Sequence, residues 1–388
     1  MEQVYLDHSA TTPVDPAVFD AMIPYYKDWF GNPSSVHQAG QAARRAVEES
    51  RAKVASLINA SPEEIVFTGS GTEADNQAVI GYARNHLKPG DHIITSSIEH
   101  HAVLDAVESL KQFGYETTLL PVDSYGLVSP AALRDAIRPN TKLVSVMHTN
   151  NEIGTIEPIQ ALAAIAHERG AVFHTDAVQS VGRIPVDVKA LGVDMLSASA
   201  HKLYGPKGVG MLYIRKGFKP GRYLIGGAQE RNRRAGTENV AGIVGFAKAA
   251  ELAQANMAEV SERLTRLGSK LIEGLTAGIT ESMLTGHPEQ RLPGHVSFCF
   301  RYIEGESILL LLDQFGIMAS SGSACTSGSL DPSHVLLAIG LPHEIAHGSV
   351  RLTMGKGTTE EQVDYVLQTL PPIVERLRNM SPLTAKGR

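Results

Sequence analysis

The chain predicts an α/β protein, with a large domain built on a mostly parallel sheet covered by helices and a smaller α+β domain after it. Three observations predict this. Through roughly the first 250 residues, short apolar runs alternate with amphipathic helical stretches, the rhythm of a parallel sheet whose crossovers are helices. A long helical pattern from Val240 to Leu275 then gives way to a different texture of alternating segments and single helices. Finally, 388 residues with 43% hydrophobic and 20% charged content are enough for one large core and a second, smaller one without disulfide or metal staples.

The elements follow in order. EEIVFTGS, DHIITSS, YETTLLPV, TKLVSVMHT and AVFHTDAV are short, apolar and rich in β-branched residues, and read as strands. TEADNQAVIGYARNHL, HAVLDAVESLKQFG and PIQALAAIAHERG carry the helical period between them. MLSASA reads as a further strand, running into the glycine-rich loop SAHKLYGPKGVG. Beyond the long helix, VSFCF alternates, ESILLLLDQFG is helical, SSGSACTSGS is a loop, SVRLTMG alternates again, and TEEQVDYVLQTLPPIVERL closes the chain as a helix. The domain change falls inside the long helix. Residues 15–255 form the large domain, and 256–388 form the small one, with 1–14 packing on it.

Charge and cysteine usage narrow the partners. A net charge of -6 leaves no basic stripe for a phosphate backbone, which argues against nucleic acid. Two cysteines, no leader at MEQVYLDHSATT and no apolar run of membrane-spanning length lead us to expect a soluble, cytoplasmic protein.

Ligands of open parallel sheets sit at the carboxyl ends of the strands, and four polar places fall there. Gly69, Ser70 and Gly71 lead from a strand into a helix starting near Thr72, which makes either a tight turn or an anion cradle of backbone N–H groups. Asp176 ends an apolar strand, where it either caps the next segment or holds a protonated ring nitrogen. Lys202 lies beside glycines, but Leu203 follows it where a P-loop needs Ser or Thr, so Schiff-base chemistry competes with a plain surface lysine. Glu99, His100 and His101 follow another strand. Neighbouring histidines point apart, so His100 reads as an aromatic and acid/base group or as a structural histidine.

In SVRLTMG, Arg351 faces away from Val350, Leu352 and Met354, either forking a carboxylate or sitting on an exposed edge. HEIAH, residues 343–347, matches the short zinc-protease pattern, but Val350 and Thr353 stand where the longer pattern needs Gly and His. Gly348 and the alternation after it stop that helix at once. No metal is expected.

Read together, YLDHSATTPVD, FGNPSSVHQAG, TGSGTEADN, EHHAVLD, NNEIGT, HTDAVQSVG, SAHKLYGPKGVG, RRAGTEN, SSGSACTSGS and ERLRNMSPL resemble, in order, the cysteine desulfurases of the NifS/IscS type. These are fold-type I enzymes that use pyridoxal 5'-phosphate. The resemblance implies a seven-stranded-type sheet in the large domain and conversion of L-cysteine to L-alanine, with the sulfur left as a persulfide on an enzyme cysteine. Lys202 matches the lysine bonded to the cofactor, His100 the histidine stacked on its ring, and Asp176 the partner of the pyridine nitrogen. Gly71, Thr72, Ser199 and His201 match the phosphate group's binders, with Thr237 reaching the same phosphate from the second subunit of a homodimer. Asn151 and Gln179 match residues near the ring oxygen, Asn151 and Arg351 the clamp on the substrate carboxylate, and Cys325 the nucleophile.

The same resemblance implies a sulfur acceptor such as an IscU/NifU-like iron-sulfur scaffold. An aminotransferase or selenocysteine lyase, and a sulfur carrier without activity, are the other readings of these residues. Cys325 lies among Ser, Gly, Ala and Thr in loop 320–330, the composition of a mobile tether that collects sulfur and hands it on. Cys299, in VSFCF, reads as structural. Gly71 stands where the family commonly has alanine, and Ala200 where it commonly has glycine.

Overall fold

A computed structural model of the chain describes residues 3–322 and 332–382. Twelve strands lie in this region: β1 (Val4–Tyr5), β2 (Ile65–Thr68), β3 (His92–Ser96), β4 (Glu116–Leu120), β5 (Thr141–Ser145), β6 (Val172–Asp176), β7 (Met195–Ser199), β8 (Gly210–Ile214), β9 (Ser282–Leu284), β10 (His295–Phe300), β11 (Ile317–Met318) and β12 (Ser349–Thr353).

Seven of the described strands form the large sheet, in the order β2-β8-β7-β6-β5-β3-β4. β8 runs antiparallel to both β7 and β2, and every other neighbouring pair is parallel. β2 therefore points the same way as β7, and the carboxyl ends of β2, β3, β5, β6 and β7 lie along one edge.

Successive residues bury on opposite faces of this sheet, which is why its strands read as continuous apolar runs. Val66, Ile93, Leu143 and Met195 enter one core with Val103, Val107 and Leu110 of the helix His101–Lys111. Phe67, Ile94, Val144 and Leu196 enter the other with Val47 and Val54 of the helix Gln38–Leu57 and with Ile243 and Phe246 of the helix Val240–Gly278.

Sequence reading assigned no strand at β1, β8, β9 or β11. β8 begins where the glycine-rich loop SAHKLYGPKGVG ends, and its first glycine has a spatial cause. A Cβ on Gly210 would lie 2.6 Å from the carbonyl carbon of Ser70, so the glycine lets β8 press against the turn that leaves β2.

A third core surrounds the antiparallel sheet β12-β10-β9. The helix Val240–Gly278 serves two cores along its length, with Phe246 and Ala250 in the large one and Leu264, Leu267 and Leu271 in the small one. The N-terminus joins the small core through Val4 and Leu6, β1 pairs in parallel with β11, and the backbone at Leu6 and His8 bonds to Thr353.

Candidate active site

The edge where the carboxyl ends gather is a cleft of about 500 Å³, lined from the large domain by Gly71, Thr72, His100, Asn151, Asp176 and Gln179, and by Ser199, His201 and Lys202. Asp7, Ser9 and Ala10 of the N-terminal segment and Ser320 and Arg351 of the small domain close it.

Ser70 caps the helix Gly71–Asn76, its hydroxyl accepting from Glu73 N at 3.0 Å. The N–H groups of Gly71 and Thr72 are in the first turn, where no intrahelical carbonyl is available to them. Gly71 is packed tightly, for a Cβ there would stand 2.8 Å from Val178 Cγ2. One turn on, Asp75 is buried, and its Oδ1 has no hydrogen-bond partner. Burial, reinforced by the charge of Asp176, raises its pKa well above the usual carboxylate range.

Asp176 is buried at the end of β6, and its Oδ1 accepts from Val178 N at 2.9 Å. The carboxylate thus serves as a local cap and faces the cleft as well. Burial pushes it up to about 6, against the Val178 hydrogen bond and the Lys202 charge, which pull it down.

His100 caps the helix His101–Lys111 by accepting from Ala102 N at its Nδ1, 3.1 Å away. An acceptor at Nδ1 leaves the proton of the neutral ring on Nε2. Burial, followed by the nearby Lys202, pulls its pKa down to about 4, so the ring is neutral at physiological pH.

Lys202 Nζ donates to the carbonyls of Ser9 and Ala10, the latter at 2.8 Å. His201 is tied to the same segment by Thr11 Oγ1 at 3.1 Å from its Nδ1 and by Thr12 N donating to its carbonyl at 3.0 Å. Arg351 is 3% exposed, held by Asp7 Oδ1 on Nη2 at 2.9 Å and by the Asn151 carbonyl on Nη1 at 3.0 Å. Its buried Nε has no partner. The solvated-edge alternative for this arginine therefore fails, because Asp7 and the Asn151 loop cover β12.

Thr237 does not reach this cleft. It lines a separate one with Thr68, Gly69 and Arg234. Cys325 lies outside the described residues. Cys299 is fully buried in β10, and burial pushes its thiol up to about 12. At HEIAH, a four-residue helix ends before His347, and among the described residues no three His, Cys, Asp or Glu side chains gather as a metal set.

Sequence reading missed the functional positions of Asp7, Ser9, Ala10 and Asp75. Asp75 had a usable signal, since it stands four residues after Gly71 on the same helix face. The N-terminal residues stand in YLDHSATTPVD, one of the segments that carry the resemblance, but nothing local gave their contacts, because their partners are hundreds of positions away.

The residues present fit pyridoxal phosphate. The cleft offers first-turn N–H groups and a hydroxyl for a phosphate, buried carboxylates for a ring nitrogen, and an amine for an aldehyde. Asp176, buried at the strand end and lining the cleft, is the carboxylate placed for that nitrogen, while the Asp75 oxygen that lacks a hydrogen bond lies 3.6 Å from His174 Nε2.

The comparisons agree. The family described as Aminotransferase class-V matches residues 4–366. The chain is 56% identical to a cysteine desulfurase IscS of Methanosarcina thermophila, over 99% of this chain and 95% of that protein. Its fold superposes on a NifS-like protein with a TM-score of 0.91 at 40% identity, over 97% of this chain and 100% of the other. It also superposes on SspA in complex with cysteine, with a TM-score of 0.81 at 34% identity, over 92% of this chain and 100% of the other. The chain therefore belongs to the class-V aminotransferase family, among the cysteine desulfurases of the NifS/IscS type.

Proposed function

We propose that this chain is a pyridoxal-phosphate-dependent cysteine desulfurase that converts L-cysteine to L-alanine and receives the sulfur on Cys325. One observation carries the reading: Lys202, Asp176, His100 and an arginine whose Nε has no hydrogen-bond partner line the same cleft.

Bound through its aldehyde carbon to Lys202, pyridoxal phosphate supplies the sink for the electron pair left when the substrate's Cα–H bond breaks. Asp176, buried in the cleft at the end of β6, would hold the proton on the ring nitrogen. Arg351 takes the substrate carboxylate on the Nε side, while Asp7 and Asn151 keep its other edge fixed. Lys202 would hold the cofactor through its aldehyde, and its Nζ, beside the Ser9 and Ala10 carbonyls, would take the α-proton. His100 moves a proton at Nε2. The Cys325 thiolate attacks the substrate sulfur. The S–S bond forms as the Cβ–S bond breaks, its electron pair goes to Cβ, Cβ takes a proton, and Cα recovers the one held on Lys202. The products are alanine and a Cys325 persulfide, with no outside oxidant or reductant.

We further assign the working protein as a cytoplasmic homodimer that passes sulfur to an IscU/NifU-like scaffold. Supporting the dimer, Phe30, Val36 and Ile225 are large, strongly exposed apolar side chains, and Thr237 lies away from its own chain's cleft. No described helix is long and apolar enough to cross a membrane.

The test is an intact-mass spectrum of cofactor-loaded protein after L-cysteine, with and without reductant, followed by peptide mapping. The expected result is one reductant-labile sulfur on Cys325 with alanine released. Alanine without sulfur on Cys325 would replace this reading with lyase chemistry.

A further inference from the structure

Arg183 is a half-buried cation on the wall of a cavity it shares with His8, Asp15 and Lys356, and the reaction above does not use it. Its Nη1 donates to Gln179 Oε1 at 3.1 Å, and its Nη2 has neither solvent contact nor a hydrogen-bond partner. Among the described residues no carboxylate pairs with it. The charged or titratable groups near it are Tyr204 and Arg351, and it also bears on His8 and His295. None of these neutralises it at physiological pH, and a guanidinium N–H shut off from both water and a partner is costly to keep.

Its contact with Gln179 gives the cation a purpose. Gln179 lines the cleft three residues after Asp176. Its Nε2 donates to the Ser9 carbonyl at 2.9 Å, the same carbonyl that accepts from Lys202 Nζ. The amide therefore lies beside the reactive amine with its orientation fixed from both ends, since a guanidinium accepts nothing and a carbonyl donates nothing. A flipped amide would lose both hydrogen bonds. The remaining N–H on Nε2 is the one group of that amide still free to bind a ligand in the cleft.

We propose that Arg183 is a positioning residue that locks Gln179 with this N–H toward the ring oxygen of the cofactor, and that its unneutralised charge favours the ionised form of that oxygen. This rests on the reading of Lys202 as the cofactor lysine. A cation behind the ring oxygen stabilises the bound cofactor with fewer protons, so removing the charge raises the pH at which the bound cofactor loses its proton.

The experiment titrates the visible absorbance of the substrate-free holoprotein against pH in wild type, Arg183→Lys, Arg183→Met and Gln179→Leu, with circular dichroism of each and cofactor affinity by fluorescence. The midpoint should rise by about one unit in Arg183→Met, a tenfold change in the protonation constant. Gln179→Leu should move it in the same direction. Arg183→Lys, which keeps the charge but loses the planar fork, should move it by about half as much. If Arg183→Met does not fold, Arg183→Lys and Gln179→Leu decide the matter. Midpoints within about 0.2 unit of wild type in the folded variants overturn the proposal while leaving the cofactor reading intact. A wild-type protein that shows no visible band with pyridoxal phosphate overturns both.

Discussion

Asp7 governs what Arg351 has to offer. Its carboxylate holds Nη2 at 2.9 Å, and the Asn151 carbonyl holds Nη1, so the guanidinium has one edge left for a substrate carboxylate. Asp7→Asn keeps an acceptor but removes the charge that fixes the fork. It should raise KM for L-cysteine by about threefold to tenfold with kcat nearly unchanged. Steady-state kinetics on the cofactor-loaded variant check this, and a kcat loss at constant KM would show that Asp7 acts on the chemical step instead. Arg351→Lys, with no fork to offer, should lower kcat/KM by about a hundredfold. At this scale, chemistry-bearing residues were legible in the sequence where they end a strand, as Asp176 and Lys202 nearly do. Asp7 was not, because the residue that gives it meaning is 344 positions away.

Helices and strands were legible wherever one period ran without interruption. The helix His101–Lys111 and strands β3, β5 and β6 bury what their patterns said they would. β8 was hidden by Gly208, which takes a positive φ of 79°, and by Gly210, whose close approach to the Ser70 backbone is a property of the neighbour and not of the local sequence. Gly71 repeats the lesson. A Cβ there would stand 2.8 Å from Val178 Cγ2, a clash with a neighbour 107 positions on, and valine has little χ1 freedom with which to yield. Gly71→Ala alone should cost about 1–3 kcal/mol through overpacking. Combined with Val178→Ala the loss should largely vanish, a coupling of about 1 kcal/mol or more in a double-mutant cycle by urea unfolding. Additive losses would show that the two sites do not share that space.

For the molecule as a whole, the alternation of strand and helix made the architecture readable, while the way the N-terminus ties the two cores together was not. The buried ionisable groups set its pH response. Burial raises Glu99 and Glu157 to about 8 and Glu152 to about 7, so the stability each contributes is present at low pH and lost as pH rises through those values. Burial lowers His8, His100 and His148 to about 4, so their contribution is complete above the usual histidine pKa and lost as pH falls through about 4. Between about pH 7.5 and 8.5 these histidines are neutral in both states, while Glu99 and Glu157 are still titrating. The urea midpoint of cofactor-free protein should therefore fall across that window. Glu157→Gln, distant from the cleft lining, should flatten part of the fall, and a midpoint that rises or stays level would contradict the assignment. The N-terminal segment also imposes an order on assembly. Ser9 and Ala10 leave the ribosome first, yet the Thr353 side chain that receives the Ser9 N–H leaves it near the end. At about 5–20 residues per second, the first strand of the site waits on the order of 20–70 seconds for its partner, and until then no nascent chain can close the cleft around a cofactor.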